Sequence, residues 1–261
     1  MQEKKISSIK SELEAINALK LNQSCLMELE IFIQNYKEDK RSGVQKLITT
    51  AQKRIQNYYA EVARTEELKK YEKEYDNYVY ICGIDEVGRG PLAGPVVAGA
   101  VILPKDCDIL YINDSKKLSA SKREELYEEI MEKAVAVGLG MVSPECIDEI
   151  NILQATYEAM RQAIGNLSIQ PDILLNDAVT IPKIAIKQVP IIKGDAKSIS
   201  IGAASIVAKV TRDHLMEEYD SMFPQYGFAS NKGYGSKEHI KAIQTYGETP
   251  IHRKTFIKNF I

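Results

Sequence analysis

The most informative segment of this chain is Gly83-Ile84-Asp85-Glu86-Val87-Gly88-Arg89-Gly90-Pro91-Leu92-Ala93-Gly94-Pro95. Residues 78–81, just before it, are β-branched or aromatic and predict a strand that runs into two adjacent carboxylates. Two buried carboxylates repel each other, so Asp85 and Glu86 require a cation or solvent. Because side chains alternate along a strand, both acids reach one site only if the backbone twists, which the following glycines permit. The alternative for this segment alone is an acidic hairpin turn on the surface.

The glycine spacing at Gly88, Gly90 and Gly94 also suggests a dinucleotide-binding loop, which we exclude. In that motif the glycines open a helix whose N-terminus meets the pyrophosphate. Here Pro91 and Pro95 flank the loop, a second strand is predicted after it, and two carboxylates precede it. Since carboxylates repel a bare phosphate, the segment favours phosphate chemistry that depends on a metal ion.

Two further apolar runs also end in a carboxylate. Residues 172–177 predict a short strand that ends in Asp177, and residues 189–195 predict another that ends in Asp195. In open α/β sheets, ligands bind outside the carboxyl ends of the strands. If these strands are neighbours of the first one, its two acids converge with these two at one edge. The alternative is that each acid is a helix N-cap or a turn residue.

The candidate ligands are hard oxygen donors without a cluster of histidine or cysteine, which suits Mg2+ or Mn2+ better than Zn2+. Two such ions about 4 Å apart clamp the attacking water and the leaving oxygen of a phosphodiester. We choose Asp85 as the ligand that bridges the two ions. The cysteines and histidines show no spacing typical of metal ligands. We interpret the cysteines as buried free thiols and the histidines as surface residues: Cys25, Cys82, Cys107, Cys146, His214, His239 and His252.

The whole chain of 261 residues has 34 Lys and Arg against 36 Asp and Glu, a formal net charge of -2. Any surface for nucleic acid must therefore be a local basic patch. There is no apolar run long enough to span a membrane and no apolar core of a signal peptide, so we expect a cytoplasmic protein.

Residues 1–75 predict a helical N-terminal extension, and residues 76–261 predict the main domain. Apolar residues of the extension recur near helical spacing up to residue 33, and a second helix follows a break at Ser42-Gly43. A basic face that also carries tyrosines suits a nucleic-acid backbone: Lys53, Arg54, Tyr58 and Tyr59. The alternative, which we favour, is a solvated helix face that packs on the main domain.

The main domain alternates predicted strands and helices. Strands are predicted at residues 96–103 and 135–142, and helices at 121–134, 144–150, 153–164, 198–222 and 237–246. In the helix from residue 198, Ser205, Lys209 and Arg212 share one face because their spacings are four and three residues.

The segment from Gly83 to Val97 resembles the signature of bacterial type 2 ribonuclease H, ribonuclease HII. The similarity covers roughly residues 78 to 257 and continues through seven further motifs, at 113–119, 147–153, 193–198, 208–213, 226–228, 232–235 and 252–256. It implies an α/β fold, a ribonuclease H-like mixed β-sheet flanked by helices, to which this chain adds its N-terminal helical extension. One departure is Ala178 after Asp177, where some members have glycine.

The resemblance also implies the roles of the site residues. It assigns the two metal ions, Mg2+ or Mn2+, to Asp85, Glu86, Asp177 and Asp195, with products that carry a 5′-phosphate and a 3′-hydroxyl. It assigns contact with the ribose 2′-hydroxyl, which distinguishes RNA from DNA, to Gly88-Arg89-Gly90 and places Tyr234 beside that ribose.

Phosphate contacts hold a duplex in place without reading its sequence. The candidates for such contacts are Lys116, Lys117, Ser205, Lys209 and Arg212. For each lysine alone, a solvated surface charge is an equal alternative. For Tyr234 the alternative is an anchor for its own glycine-rich loop.

The function implied is an endonuclease that hydrolyses the RNA strand of RNA–DNA hybrids and cuts 5′ of single ribonucleotides embedded in duplex DNA. Its role would be ribonucleotide removal and RNA primer clearance, and we expect a monomer. A type 3 ribonuclease H is the nearest rival, but its N-terminal extension mixes strands with helices, and Gly88-Arg89-Gly90 favours type 2. A non-catalytic protein that binds hybrids is a second rival, which the presence of all four acids disfavours.

Overall fold

The computed structural model describes residues 4–261 and divides the chain into two compact units, Met1–Glu66 and Glu67–Ile261. This boundary lies before residue 75, where the sequence predicts the end of the extension. Among the described residues, no helix is long and apolar enough to cross a membrane.

The first unit is helical and has its own core. Its helices are α1 (Ile6–Asn17), α2 (Gln23–Tyr36) and α3 (Ser42–Leu68), the last of which continues past the boundary. The apolar pattern up to residue 33 therefore belongs to two helices, because the side chain of Asn22 accepts a hydrogen bond from Cys25 N and starts a new helix. Leu13, Phe32 and Val44 are buried together between the three helices.

The second unit alternates strands and helices. Its elements in chain order are α4 (Lys70–Glu74), β1 (Ile81–Val87), β2 (Val96–Ile102), α5 (Ala120–Lys133), β3 (Ala136–Val142), α6 (Pro144–Gly165), β4 (Ile173–Asp177), β5 (Lys187–Ile191), α7 (Ile199–Met222), α8 (Phe228–Asn231), α9 (Lys237–Tyr246) and α10 (Lys254–Ile257). Short 3-10 helices lie at Gly194–Ala196 and Pro224–Tyr226. The two helices predicted over 144–164 are the two halves of α6, which is broken at Asn151 by a φ of 67°.

The five strands form one mixed sheet in the order β3-β2-β1-β4-β5. The pairs β3–β2 and β2–β1 are antiparallel, whereas β1–β4 and β4–β5 are parallel. The predicted mixed α/β sheet is confirmed. Because β1, β4 and β5 run in the same direction side by side, their carboxyl ends meet at one edge, as the sequence predicted.

Helices cover both faces of this sheet. Helix α6 packs on one face, where Ile84, Ala98 and Ala159 belong to one buried cluster. Helices α5 and α7 cover the other face. Helix α7 lies against β1 because Gly83 has no side chain: a Cβ at this position would lie 2.0 Å from the backbone carbon of Ser200. This close approach brings the interior of α7 next to the acidic end of β1.

The four cysteines are free, as predicted. Cys25, Cys82 and Cys107 are buried, and Cys146 is half-buried. Burial raises the pKa of the Cys82 thiol, so this side chain behaves as a small apolar group in the core.

Candidate active site

The shared edge of β1, β4 and β5 brings together the acids that the sequence proposed. Asp85 lies within β1, Asp177 is the last residue of β4, and Asp195 lies in the 3-10 helix after β5. The register pairs Ile84 with Asn176, so Asp85 and Asp177 follow each other directly across the two strands. Strand β1 continues through both of its acids to Val87, so the chain leaves the strand after them and not at them.

Asp85 is only 6% exposed and faces helix α7. Its carboxylate accepts a hydrogen bond from Glu86 N (2.8 Å), and the nearby side chain of Ser205 acts to lower its pKa. The pKa of Asp85 is raised well above its ordinary value, first by burial and then by the negative charges of Glu86 and Asp177. A buried carboxylate with this surrounding charge is a strong candidate for binding a cation.

Glu86 occupies the next position of β1, and its pKa is also raised, mainly by burial. Arg89 opposes this shift, because its guanidinium lies 3.3 Å from a carboxylate oxygen of Glu86. The charge of Asp177 acts in the same direction as burial. The electrostatic field of Asp177 therefore reaches both acids of β1.

The third and fourth acids are linked through the backbone between them. Asp177 accepts a hydrogen bond from Gly194 N at 2.7 Å, next to Asp195 in the chain. The pKa of Asp195 is raised by burial, then by the charges of Asp114 and Asp177, while Lys116 lowers it. Asp114 thus belongs to this cluster, although the sequence analysis did not propose it. The only signal for it was its place between Asn113 and Ser115 in a motif of the resemblance.

Ala178 follows Asp177 with a φ of 57°. A residue with a side chain in this left-handed region costs about 1 kcal/mol or more, which explains why glycine suits the position. The backbone of Ala178 donates a hydrogen bond to Ile191 O (3.0 Å). This hydrogen bond to the last residue of β5 keeps Asp177 at the same edge of the sheet despite the strain at Ala178.

The donor set at this edge fits a hard divalent cation. It consists of carboxylates, of which Asp85, Glu86 and Asp195 have pKa values raised first by burial and then by neighbouring negative charge. The cations that oppose this within the cluster are Arg89 and Lys116. Oxygen donors of this kind suit Mg2+ or Mn2+. Among residues 4–261, no group of three or more His, Cys, Asp or Glu side chains is arranged to hold a metal ion, so the fit rests on the chemistry of the donors.

The loop after β1 is held by two buried arginines, Arg212 and Arg253. Arg253 donates to the carbonyl oxygens of Gly88 (2.5 Å), Arg89 (2.9 Å) and Gly94 (2.8 and 3.0 Å). Gly88 has a φ of 89°, and a Cβ there would lie 2.4 Å from the guanidinium of Arg212. The loop therefore requires glycine at this position.

Tyr234 lies beside this loop and is 45% exposed. A Cβ at Gly90 would lie 3.8 Å from the ring of Tyr234, so these two residues face each other across a narrow space. The carbonyl oxygen of Gly233 accepts a hydrogen bond from Leu92 N (2.8 Å), which ties the two loops together. These contacts place Tyr234 and the glycine loop on one surface.

The five candidates for phosphate contact occupy different environments. Lys116 and Lys117 are exposed. Lys209 is half-buried and forms an ion pair with Asp213 at 2.6 Å, and burial lowers its pKa. Ser205 is buried and donates a hydrogen bond to the hydroxyl of Ser115 (3.0 Å), so it does not face solvent.

The prediction that Arg212 contacts a phosphate is wrong. This side chain is fully buried and donates to the carbonyl oxygens of Ala93 (3.0 Å), Pro95 (3.0 Å) and Lys232 (2.8 Å). All of its donor groups are directed at backbone, so the side chain cannot reach a phosphate in this structure. Its role is to join the glycine loop to the loop that carries Tyr234.

Two of the histidines are also not where the sequence placed them. His214 is exposed next to Glu124, as predicted. His239 and His252 are buried, and their Nε2 atoms lie 3.0 Å apart. The interpretation of these two as surface residues was wrong, because isolated histidines give no sequence signal for a pair that forms through tertiary contact.

Comparison with known sequences gives a consistent result. The model of the ribonuclease HII family matches residues 82–259, and the model of the ribonuclease HII N-terminal domain matches residues 5–76. A ribonuclease HII of Lachnoclostridium phytofermentans is 68% identical over 224 residues, which cover 86% of this chain and 88% of that protein. A ribonuclease HII of Clostridioides difficile is 52% identical over 263 residues, which cover 100% of both chains.

Solved structures share the fold of the second unit. A ribonuclease H2 from Pyrococcus horikoshii has a TM-score of 0.59 and 29% identity, covering 69% of this chain and 96% of its own. A ribonuclease HII from Archaeoglobus fulgidus, solved in a complex with PCNA, has a TM-score of 0.56 and 30% identity, covering 67% and 93%.

The mixed sheet flanked by helices, a fold shared with these structures, together with the family match defines the ribonuclease H class of metal-dependent endoribonucleases. Within that class, the chain belongs to the ribonuclease HII family.

Proposed function

We propose that this endoribonuclease hydrolyses the RNA strand of RNA–DNA hybrids and cuts 5′ of single ribonucleotides embedded in duplex DNA. The products carry a 5′-phosphate and a 3′-hydroxyl, and the cellular roles are ribonucleotide removal and primer clearance. The observation that carries the proposal is the acidic edge of the sheet, which lies directly beside the surface formed by the glycine loop and Tyr234.

We assign the metal-binding role to Asp85, Glu86, Asp177 and Asp195. Two divalent ions, Mg2+ or Mn2+, would activate the attacking water and stabilise the leaving oxygen when bound. The chain itself holds the acids in place: Glu86 N donates to Asp85, and Gly194 N donates to Asp177. The raised pKa values of Asp85 and Asp195 reflect unfavourable burial of negative charge, which a bound cation would relieve.

We assign recognition of the 2′-hydroxyl to Gly88-Arg89-Gly90 together with Tyr234. The exposed backbone at Gly90 permits close approach to a sugar, because no side chain occupies the space toward the Tyr234 ring. The 2′-hydroxyl is the group by which a protein distinguishes RNA from DNA at a given position. Exposed Lys116 and Lys117 remain candidates for contacts with the phosphate backbone.

The direct test uses a duplex that contains one embedded ribonucleotide, with Mg2+ or Mn2+ and with EDTA. We expect a single cut on the 5′ side of the ribonucleotide and none on the matched all-DNA duplex. A type 3 activity would instead leave this substrate intact and cut only continuous hybrids, which would overturn the proposed substrate.

Replacing Tyr234 with alanine tests the recognition surface. We expect the rate on the embedded ribonucleotide to fall about 10- to 100-fold, or roughly 1.4 to 2.7 kcal/mol. The loss on continuous hybrids should be smaller, since several ribonucleotides offer alternative registers. The measurement is kcat/KM on both substrates together with the melting temperature, which should barely change for a side chain that is 45% exposed.

Two further variants sharpen this test. Tyr234→Phe keeps the ring and separates its contribution from that of the hydroxyl. Tyr246→Ala removes a tyrosine that is 63% exposed and serves as the matched control. Equal losses on both substrates with a clear drop in melting temperature would show that Tyr234 is structural.

We propose that the N-terminal extension and the catalytic domain divide functionally near residue 75. Removing residues 1–66, the first compact unit, tests whether the extension takes part in cleavage. We expect kcat to stay within about twofold, because every acid of the site and its hydrogen-bond partners lie in the second unit. If the extension adds phosphate contacts, the affinity falls and its dependence on salt becomes shallower. A loss of kcat above about tenfold would contradict the proposal.

A further inference from the structure

The two buried histidines form one continuous chain of hydrogen bonds. Thr249 N donates to His252 Nδ1 at 2.9 Å, the two Nε2 atoms lie 3.0 Å apart, and His239 Nδ1 lies 2.9 Å from the carbonyl oxygen of Tyr234. This series of hydrogen bonds therefore ends at the backbone of Tyr234, the residue that we assign to ribose recognition.

The two groups at the ends of this hydrogen-bond series determine which ring nitrogens carry a hydrogen. A backbone N–H can only donate, so His252 Nδ1 accepts from Thr249 and carries no proton. A carbonyl oxygen can only accept, so His239 Nδ1 donates to Tyr234 and His239 Nε2 accepts. The single remaining hydrogen is donated by His252 Nε2 to His239 Nε2. A proton added to His239 Nε2 would face the N–H of His252, so the bond exists only when His239 is neutral. A proton added to His252 Nδ1 would face the N–H of Thr249, and the Thr249 hydroxyl, 2.8 Å away, is the one group there that could accept it.

The same bond joins the two sides of the proposed recognition surface. On one side, Arg253 N donates to Leu92 O (2.9 Å) and Gly94 N donates to Ile251 O (2.8 Å), so the segment around His252 is attached to the glycine loop. On the other side, His239 in α9 is bonded to Tyr234. The histidine pair is thus a further link between this loop and the tyrosine, beside the direct bond from Leu92 N to Gly233 O and the bonds of Arg212.

We propose that His239 and His252 are positioning residues for ribonucleotide recognition, because their neutral hydrogen bond holds Tyr234 against the glycine loop. This inference rests on the proposed role of Tyr234. Neither histidine touches the acids, so the pair acts on substrate selection and not on the hydrolysis step.

Burial supports the neutral state of the pair. It lowers the pKa of His252 from 6.5 to about 4, with the charge of His239 as a second cause, and it lowers the pKa of His239. Aromatic rings enclose both histidines, with Tyr226 at 5.0 Å from His252 and Phe228 at 5.3 Å from His239. The ionisable groups around the pair, including those that line the cleft beside His252, are Glu145, Asp148, Glu149, Tyr226, Tyr234, Glu238, Tyr246, Glu248, Arg253 and Lys254.

The test compares two replacements of His252 in the full chain. His252→Gln keeps a donor that can reach His239 Nε2, so kcat/KM on the embedded ribonucleotide should stay within about twofold. His252→Leu removes the donor, so kcat/KM on that substrate should fall about tenfold while the continuous hybrid loses less than about threefold. His214→Gln removes an exposed histidine and serves as the control.

A pH series distinguishes a neutral pair from a merely filled space. In the unfolded chain His252 binds a proton near pH 6.5, whereas in the folded chain it does so only near pH 4. Its contribution to stability is therefore complete above pH 6.5 and is lost as the pH falls toward 4. The melting temperature of the wild type should fall more steeply over this range than that of His252→Gln, and parallel curves would contradict the assignment of hydrogens.

The double variant Tyr234→Ala/His252→Leu identifies the route of the effect. If the pair acts through Tyr234, the double variant should lose no more kcat/KM on the embedded ribonucleotide than Tyr234→Ala alone. Additive losses, or equal losses of His252→Leu on both substrates, would overturn the positioning role while leaving the role of Tyr234 intact. A fully active Tyr234→Ala would instead refute the proposed recognition surface itself, and the positioning role with it.

Discussion

Replacing Asp85 with asparagine should lower cleavage by at least about a thousandfold, or ~4 kcal/mol, while duplex affinity stays within about threefold. Asparagine keeps the shape of the side chain but removes the charge that we assign to the bridging metal position. The phosphate and sugar contacts that we propose lie elsewhere, which is why binding should survive. The measurements are single-turnover cleavage and binding of the embedded-ribonucleotide duplex.

The same variant should be more stable than the wild type when no metal is present. The pKa of Asp85 is raised, so its ionisation opposes folding, and this cost grows as the pH rises from 3.8 through the raised pKa. Removing such a functional charge commonly adds ~0.5–2 kcal/mol, and each kcal/mol raises the melting temperature by about 2 to 4 °C in a chain of this size. Glu128→Gln, on the exposed side of α5, is the control. Residual activity within about tenfold of the wild type would exclude Asp85 as the bridging ligand.

Replacing Arg253 with alanine should destabilise the protein by about 3 to 5 kcal/mol, because it removes the donor to the carbonyl oxygens of buried Gly88 and Gly94 and to that of exposed Arg89. The melting temperature should fall by roughly 10 °C. Cleavage should fall as well at temperatures where the variant is folded, since the same carbonyls shape the loop that we assign to ribose recognition. Calorimetry and cleavage at low temperature measure the two effects separately.

Two variants frame this result. Arg253→Lys retains a charge but not the planar fork that reaches three carbonyls, so it should recover only part of the stability. Lys254→Ala, at a side chain 72% exposed, should stay within about 0.5 kcal/mol of the wild type. If Arg253→Ala has the same melting temperature as the wild type, the arginine does not hold the loop in place.

The geometry of the acidic edge was largely predictable. Apolar runs that end in Asp85, Asp177 and Asp195 are local patterns, and the strand assignments follow from them. Convergence then required only that the three strands be parallel neighbours, which their order in the sheet confirms. The same logic failed for Asp114, because it follows no strand and reaches the cluster through a loop.

Burial of polar side chains was not predictable, and this difference has a physical cause. A charged or polar residue is expected at the surface unless specific partners compensate its desolvation. The partners of Arg212 are carbonyls at Ala93, Pro95 and Lys232, and those of Arg253 lie more than a hundred residues earlier in the chain. No local sequence pattern predicts carbonyl partners that lie so far away along the chain.

The sequence by itself determined the alternation of strands and helices and the position of the acids at strand ends, since both depend on neighbours within a few residues. The tertiary structure alone decided that Arg212, Arg253, His239 and His252 are interior groups, which together fasten the glycine loop to the loop of Tyr234. The reason is that a hydrogen bond between distant segments depends on where the backbone carbonyls of the folded chain come to lie, and side-chain chemistry in the sequence does not contain that position.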